Sequence, residues 1–170
     1  MERFTIQKND FLSHDCTGYF HLYYVGYGQP GNPDYLNTLK NIFVSTHPDT
    51  LRAASSQAAT LMIQDIPQVM DAEGLDTAIL MAVPRSKSGM CNWQLGFKAA
   101  VRTTVKALQA DGLSVIDGTD FIFRHTSTKM THLRKPVSNF ENTGSEPYPG
   151  ITNDTCDIQH ESIKGRTIIL

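Results

Sequence analysis

The sequence predicts an α/β protein with a central parallel sheet flanked by helices and a small N-terminal region. The first observation is a near-continuous apolar run at residues 77–83, which is too short for an independent helix and is typical of a strand buried on both faces. The second is a repeat of apolar side chains at helical spacing, which predicts a helix over residues 92–111. The third is a set of short apolar runs at residues 113–116, 121–123 and 167–170. Strands and helices in this order indicate a parallel sheet.

The chain has the size and composition of one globular domain. It contains 170 residues, of which 40% are hydrophobic and 19% are charged, so it can bury an ordinary core. We predict a single domain over residues 1–170. Its N-terminal part, residues 1–74, should hold a strand and helices, and residues 75–170 should hold the core with a long loop at residues 135–155.

Charge and cysteine content restrict the compartment and the partners. A formal net charge of −2 provides no global attraction to nucleic acid or to anionic membranes, so direct nucleic-acid binding is not expected. No apolar run reaches membrane-spanning length, and the first residues lack an apolar signal core. The cysteines, Cys16, Cys91 and Cys156, are odd in number and far apart, which fits a reducing compartment. We therefore predict a cytoplasmic protein without a membrane partner.

The N-terminal part contains one strand pattern, one glycine motif and two helix patterns. Aromatic and β-branched residues predict a strand at residues 19–25. The following residues, 26–31, match G-x-G-x-x-G, but the prolines here favour turns where a dinucleotide fingerprint requires a helix. A short helix is predicted at residues 34–43. A second is predicted from Thr46, and Pro67 is expected to kink or restart it.

A short basic loop follows the predicted central strand, and we call residues 85–89 the first loop. It offers two cations, two hydroxyls and a flexible backbone just before the N-terminus of a helix. Because unpaired N–H groups and the helix dipole both favour negative charge there, the loop predicts an anion site, with phosphate as the candidate ligand. We expect the side chains of Arg85 and Lys87 to be exposed. The alternative is an ordinary polar connection between a strand and a helix, and the pattern of a Walker-type nucleotide site is absent from the sequence.

Two further basic segments follow in the sequence. Lys98, Arg102 and Lys106 recur every four residues, so they should form one face of a helix, either as solvated surface or as a contact for a partner. Residues 124–129, which we call the second loop, are again basic and rich in hydroxyls. Within the long loop that comes after it, residues 139–150 have little apolar area and are predicted to form a mobile lid.

Several of these segments together resemble the type I phosphoribosyltransferase family, most closely its ComF-like and amidophosphoribosyltransferase-like members. The similar segments are residues 82–87, 95–99, Phe123-Arg124 with Thr126 or Thr128, Asn153, and 164–170. The resemblance implies a central parallel sheet with a hood. It also implies chemistry on phosphoribosyl pyrophosphate with Mg²⁺ as the cofactor.

The resemblance also implies roles for particular residues. It places the pyrophosphate-binding loop at Arg85, Ser86, Lys87, Ser88 and Gly89, and the start of a mobile loop at Arg124, Thr126, Thr128 and Lys129. The family's R-G-F-N helix start is replaced by Leu95-Gly96-Phe97-Lys98. Its acidic pair and ribose-5-phosphate loop would fall beyond Leu170, so we expect the chain to continue there with the catalytic residues. No metal ligand is assigned within residues 1–170.

Two functions are compatible with these observations. The first is transfer of 5-phosphoribose from phosphoribosyl pyrophosphate to a nitrogen nucleophile, which would be a small-molecule base or amine. The second is a non-catalytic or effector subunit of the same fold in a larger assembly, such as one associated with nucleic acid or phage defence. A homo-oligomer or another protein partner is compatible with either. The identity of the acceptor is left open by the sequence.

Overall fold

Strands and helices alternate along the chain in the computed structural model, which describes residues 1–10, 12–25, 30–41, 45–91, 94–129 and 151–170. The elements in chain order are β1 (Glu2–Ile6), β2 (Cys16–Phe20), α1 (Asp34–Lys40), α2 (Pro48–Ala72), β3 (Ala78–Leu80), α3 (Gly96–Ala110), β4 (Val115–Asp117), β5 (Ile122–Arg124), β6 (Cys156–Ile158), α4 (His160–Ile163) and β7 (Ile168–Ile169). Among these described elements, no helix is both long and apolar enough to cross a membrane.

A three-stranded parallel sheet lies at the centre, in the order β4-β3-β7. Ile79 of β3 pairs with Ile116 on one side and with Ile168 on the other. All three residues of β3 are buried, as the apolar run predicted. The predicted α/β class with a parallel sheet is therefore confirmed, and β5 and β6 add a separate antiparallel pair.

The main core lies between one face of this sheet and helices α2 and α3. Strand side chains alternate between faces, so Ala78 and Leu80 point to the same side. Both belong to a buried cluster whose other members come from α2, α3 and β4: Ile66, Met70, Val101, Val105, Leu108 and Val115. A second cluster joins α1, α2 and α3, and Met62 packs against both. The apolar residues recur at helical spacing in α2 and α3, and the apolar faces that they form cover the sheet.

Helix α2 is continuous over 25 residues and passes through Pro67. His47 caps its start, since its Nδ1 accepts a hydrogen bond from the N–H of Asp49 at 3.3 Å. The predicted restart at Pro67 is wrong. Proline inside a helix costs about 3 kcal/mol, but each buried aliphatic side chain recovers roughly 1.5–3 kcal/mol. Ile66 and Val69, on either side of the proline, are both buried and hold the helix in place.

Helix α3 begins at Gly96, with Leu95 as its N-cap, which is later than predicted. The predicted cap, Asn92, lies outside the described residues. The end of the helix agrees with the sequence, because Asp111 is the C-cap and Gly112 adopts φ +87°. Glycine suits this left-handed conformation because it lacks a Cβ.

The N-terminal strands form an antiparallel hairpin, β1 with β2. The predicted strand at residues 19–25 is wrong in its bounds, because β2 ends at Phe20 and the residues after it are exposed. The sequence did not indicate β1, since all five of its residues are exposed and none alternates with a buried neighbour. Phe4 and Ile6 alternate with polar residues, but two apolar positions are too short a pattern to predict a strand.

Polar contacts join this hairpin to α2. Arg3 Nε and the Tyr19 hydroxyl donate to Glu73 Oε1, at 3.1 and 2.5 Å. His21 Nδ1 lies 2.8 Å from Asp65 Oδ2. The tyrosine hydrogen bond, followed by the smaller contributions of the arginine, holds the pKa of Glu73 below its usual value.

Several predictions lie partly or wholly outside the described residues. The helix predicted at residues 34–43 is α1, which ends at Lys40 with Asn41 as its C-cap, and residues 42–43 are outside. Residues 26–29 of the glycine motif are outside, as is the whole predicted lid at residues 139–150. Of the predicted long loop, residues 151–155 are described, and they form turns that lead into β6.

Replacing Gly96 by Ala should destabilise the protein. A Cβ at this position would lie 2.6 Å from Leu39 Cδ2 and 3.0 Å from Leu51 Cδ1. Forcing extra atoms into a packed core costs about 1–3 kcal/mol. Urea unfolding measures the change, with Thr103→Ala on the exposed side of α3 as the control, which should stay within about 0.5 kcal/mol of wild type. A G96A protein as stable as wild type would contradict this packing.

Candidate functional site

The first and second loops meet at the carboxyl edge of the parallel sheet. β3 leads into residues 81–89, and β4 leads through β5 into residues 125–129. The Thr128 N–H donates to the Ser86 carbonyl at 2.7 Å. The Ser88 N–H donates to Ser127 Oγ at 3.0 Å, and the two serine hydroxyls lie 2.9 Å apart. Two segments that are about 40 residues apart in the chain are therefore held together by hydrogen bonds.

The residues of the first loop differ in their solvent exposure and in their contacts with the rest of the protein. Ser86, Lys87 and Ser88 are partly exposed, and Gly89 is exposed with φ +69°. Arg85 is partly buried, and its Nη1 donates to the Asn41 carbonyl at 3.1 Å. Burial lowers the pKa of the Arg85 guanidinium from its usual value. The expectation of an exposed side chain at Arg85 is therefore wrong, because the end of α1 covers it.

Some residues of the second loop are buried in the fold, and others are exposed to solvent. Arg124 is only 7% exposed and belongs to β5, where it pairs with Cys156. Thr128 is buried, whereas Thr126 is exposed and Lys129 is partly exposed. The family-derived role of this segment in closing over a ligand stays a prediction. Its two buried residues show that the segment is also part of the packed structure.

Lys98 and Arg102 do not form the solvated stripe that we expected. Lys98 is 9% exposed, and its Nζ lies 3.3 Å from Asp120 Oδ1. Arg102 Nη2 lies 2.9 and 2.7 Å from the two oxygens of Asp120. The expectation is wrong because the connection between β4 and β5 carries carboxylates over this face of α3. Lys106, one turn further along, is exposed as expected.

The sequence did not indicate the contacts of Asp117, which ends β4, or of Thr119 and Asp120, which follow it. Asp117 Oδ1 accepts from the Thr119 N–H at 2.9 Å and from the Thr119 hydroxyl at 2.7 Å. Thr119, which is 2% exposed, also accepts from Arg102 Nε at 3.0 Å. The signal that could have revealed them is the Asp-Gly-Thr-Asp run directly after an apolar strand. Asp and Gly favour a turn there, and a carboxylate after β4 lies near the first turns of α3.

The charge of Asp120 depends on its two cationic neighbours. Desolvation raises the pKa of Asp120, but hydrogen bonds and charge from Lys98 and Arg102 outweigh it, and the net pKa lies below the usual value. A carboxyl group whose folded pKa is depressed stabilises the fold above its unfolded pKa. That stabilisation is lost as the pH falls through the folded pKa.

Replacing Asp120 by Asn should lower the unfolding free energy at pH 7 by about 0.5 kcal/mol, because Lys98 and Arg102 lose the negative charge of a carboxylate that is 68% exposed and therefore screened by solvent. The difference from wild type should shrink as the pH falls through the depressed pKa of Asp120. Urea unfolding across the acidic range measures it. Asp76→Asn, at an exposed aspartate before β3, is the matched control and should change little at any pH. A pH-independent D120N effect would show that the carboxylate charge is not responsible.

The carboxylates of the site fit a metal poorly. Those of Asp117 and Asp120 are engaged by Thr119, Arg102 and Lys98, so their oxygens are committed to other donors. Within the described ranges, no group of three or more His, Cys, Asp and Glu side chains could hold a metal ion. A Mg²⁺ at this edge would therefore depend mainly on oxygens of a bound phosphate, which is a common arrangement for this ion.

Comparison with known proteins identifies no relative of the chain. No family model matches it, and no curated protein and no solved structure does. The resemblance to phosphoribosyltransferases therefore depends on the sequence motifs described above.

Proposed function

We propose that this chain is a phosphoribosyltransferase-like protein of the cytoplasm that binds phosphoribosyl pyrophosphate, or pyrophosphate itself, between the first and second loops. The observation that carries the proposal is the pairing of Ser86 and Ser88 with Thr128 and Ser127 at the carboxyl edge of a parallel sheet. Ligands of open α/β sheets bind at this edge, outside the ends of the strands. The pairing brings two basic, hydroxyl-rich segments to one place.

The chemistry of these segments suits a pyrophosphate group. Hydroxyls and backbone N–H groups donate to phosphate oxygens, and Lys87 and Lys129 are partly exposed cations within the two loops. The first loop leads towards the N-terminus of α3, where the helix dipole also favours negative charge. Bound Mg²⁺ would supply further neutralisation of the pyrophosphate. The residues of the chain would bind and orient the group.

The proposed reaction is the displacement of pyrophosphate from the ribose carbon by a nitrogen nucleophile, a base or an amine. The bond to pyrophosphate breaks as the bond to nitrogen forms, and the leaving group keeps the electron pair. The two loops would promote this by holding the pyrophosphate and stabilising its developing charge. No protein nucleophile is needed.

Replacing Lys87 by Ala should weaken pyrophosphate binding about tenfold, because a charge-assisted hydrogen bond contributes roughly 1.5–3 kcal/mol. Titration calorimetry with pyrophosphate and Mg²⁺ measures the affinity. Lys106→Ala is the matched control, since it removes the same charge from an exposed site ten residues after Gly96, about 15 Å along α3. Equal affinities for wild type and K87A would remove Lys87 from the site, and an absence of binding by wild type would overturn the proposed function.

A second measurement separates transfer from binding alone. The protein is incubated with phosphoribosyl pyrophosphate, Mg²⁺ and a panel of bases and amines, and released pyrophosphate is measured. Acceptor-dependent release supports the transferase. Tight binding without release with any acceptor would instead support the effector subunit.

A further inference from the structure

The end of α1 forms a buried polar corner against the first loop. Asn41 is 3% exposed and adopts φ 37° and ψ 50°, a left-handed conformation that Asn tolerates better than most residues. Its side-chain Oδ1 accepts from the Thr46 N–H at 3.1 Å, and its carbonyl accepts from Arg85 Nη1. Its Nδ2 is buried and has no hydrogen-bond partner within the described part of the chain.

The polar environment of Asn41 favours the hydrogen bond between Arg85 and the Asn41 carbonyl. The carbonyl groups at the C-terminal end of a helix attract a cation, and Arg85 supplies one at Asn41. If Arg85 left Asn41 in order to turn towards a bound anion, the carbonyl of a buried residue would lose its donor. That residue already has one amide nitrogen without a partner. An unsatisfied buried polar group would weaken anion binding by about tenfold or more.

We propose that Arg85 is a positioning residue, which fixes the first loop to the carbonyl of Asn41, the C-cap of α1, while Lys87 and the hydroxyls contact the anion. The inference rests on the proposed function for the ligand, but the attachment of the loop to α1 does not. It assigns the two cations of the first loop to different tasks. Lys87 contacts the pyrophosphate, and Arg85 orients the loop that carries the contacts.

The geometry provides a test that separates positioning from direct contact. The hydrogen bond to the Asn41 carbonyl needs a single N–H donor, and a lysine ammonium can supply that donor. A bidentate contact of a guanidinium with phosphate oxygens cannot be reproduced by lysine. Arg85→Lys should therefore recover most of the pyrophosphate affinity, to within about threefold of wild type, whereas Arg85→Met should lose about tenfold. Affinity is measured by calorimetry with pyrophosphate and Mg²⁺.

Hydrogen exchange in the ligand-free protein provides an independent measurement. The amides of Ser88 and Thr128 report on the contact between the two loops, because each donates across it. R85M should speed the exchange of both about tenfold, since the loop is no longer attached to α1. R85K and K87A should leave both rates near those of wild type. If R85M does not fold, Arg85→Gln replaces it. The glutamine side chain is two atoms shorter than that of arginine, so its amide does not reach the Asn41 carbonyl.

The outcomes are distinguishable. Loss of affinity in R85K as large as in R85M, with unchanged exchange in both, would show direct contact and overturn the inference. Faster exchange in R85M with recovery in R85K supports it. If wild type does not bind pyrophosphate, the proposed function fails, and the exchange rates alone then decide whether Arg85 positions the loop.

Discussion

The close approach of α3 to α1 and α2 at Gly96 is the constraint on which the rest of the structure depends. Gly96 has no Cβ, so Leu39 and Leu51 pack directly against its backbone. The Ser55 hydroxyl donates to the Gly96 carbonyl at 3.0 Å, while also lying 2.8 Å from the Leu51 carbonyl. The first turn of α3 is therefore held by both apolar packing and a buried hydrogen bond.

The connection from β4 to β5 holds the other side of the site. Asp120 joins it to Lys98 and Arg102 on α3, and these bonds hold the start of β5 close to the helix. β5 in turn leads into the second loop. α3 thus packs against β3 in the main core, and it binds the segment that precedes β5 through Asp120.

The sequence predicted the elements that have a buried face and the loops that directly follow them. β3 and the body of α3 were predicted because burial leaves a periodic apolar pattern. The two loops were predicted because cations and hydroxyls follow apolar runs. β1 was not predicted, since its apolar pattern is short and none of its residues is buried, and the continuity of α2 through Pro67 depends on packing that no local pattern records.

The charges of the candidate site could be counted from the sequence but not assigned to partners. Arg85, Lys98 and Arg102 all look like available cations in the printed chain. Arg85 binds a carbonyl of α1, and the two helical cations bind a carboxylate that lies about 20 residues away in sequence. Such pairings arise only when distant segments come together. The serine and threonine contacts between the two loops depend on tertiary structure in the same way.

The N-terminal hairpin has a different relation to the core. Neither buried cluster includes a residue from β1 or β2. Hydrogen bonds to Asp65 of α2 and to its C-cap, Glu73, join the hairpin region to this helix. The hairpin can therefore open as a cooperative unit of its own, a foldon, while the sheet and helices stay folded. Because the pKa of Glu73 is depressed, its contribution disappears as the pH falls through that pKa, so acid favours opening. Phe4 and Phe20 lie on the two strands of the hairpin itself, so their ring contact would be kept when the hairpin leaves α2.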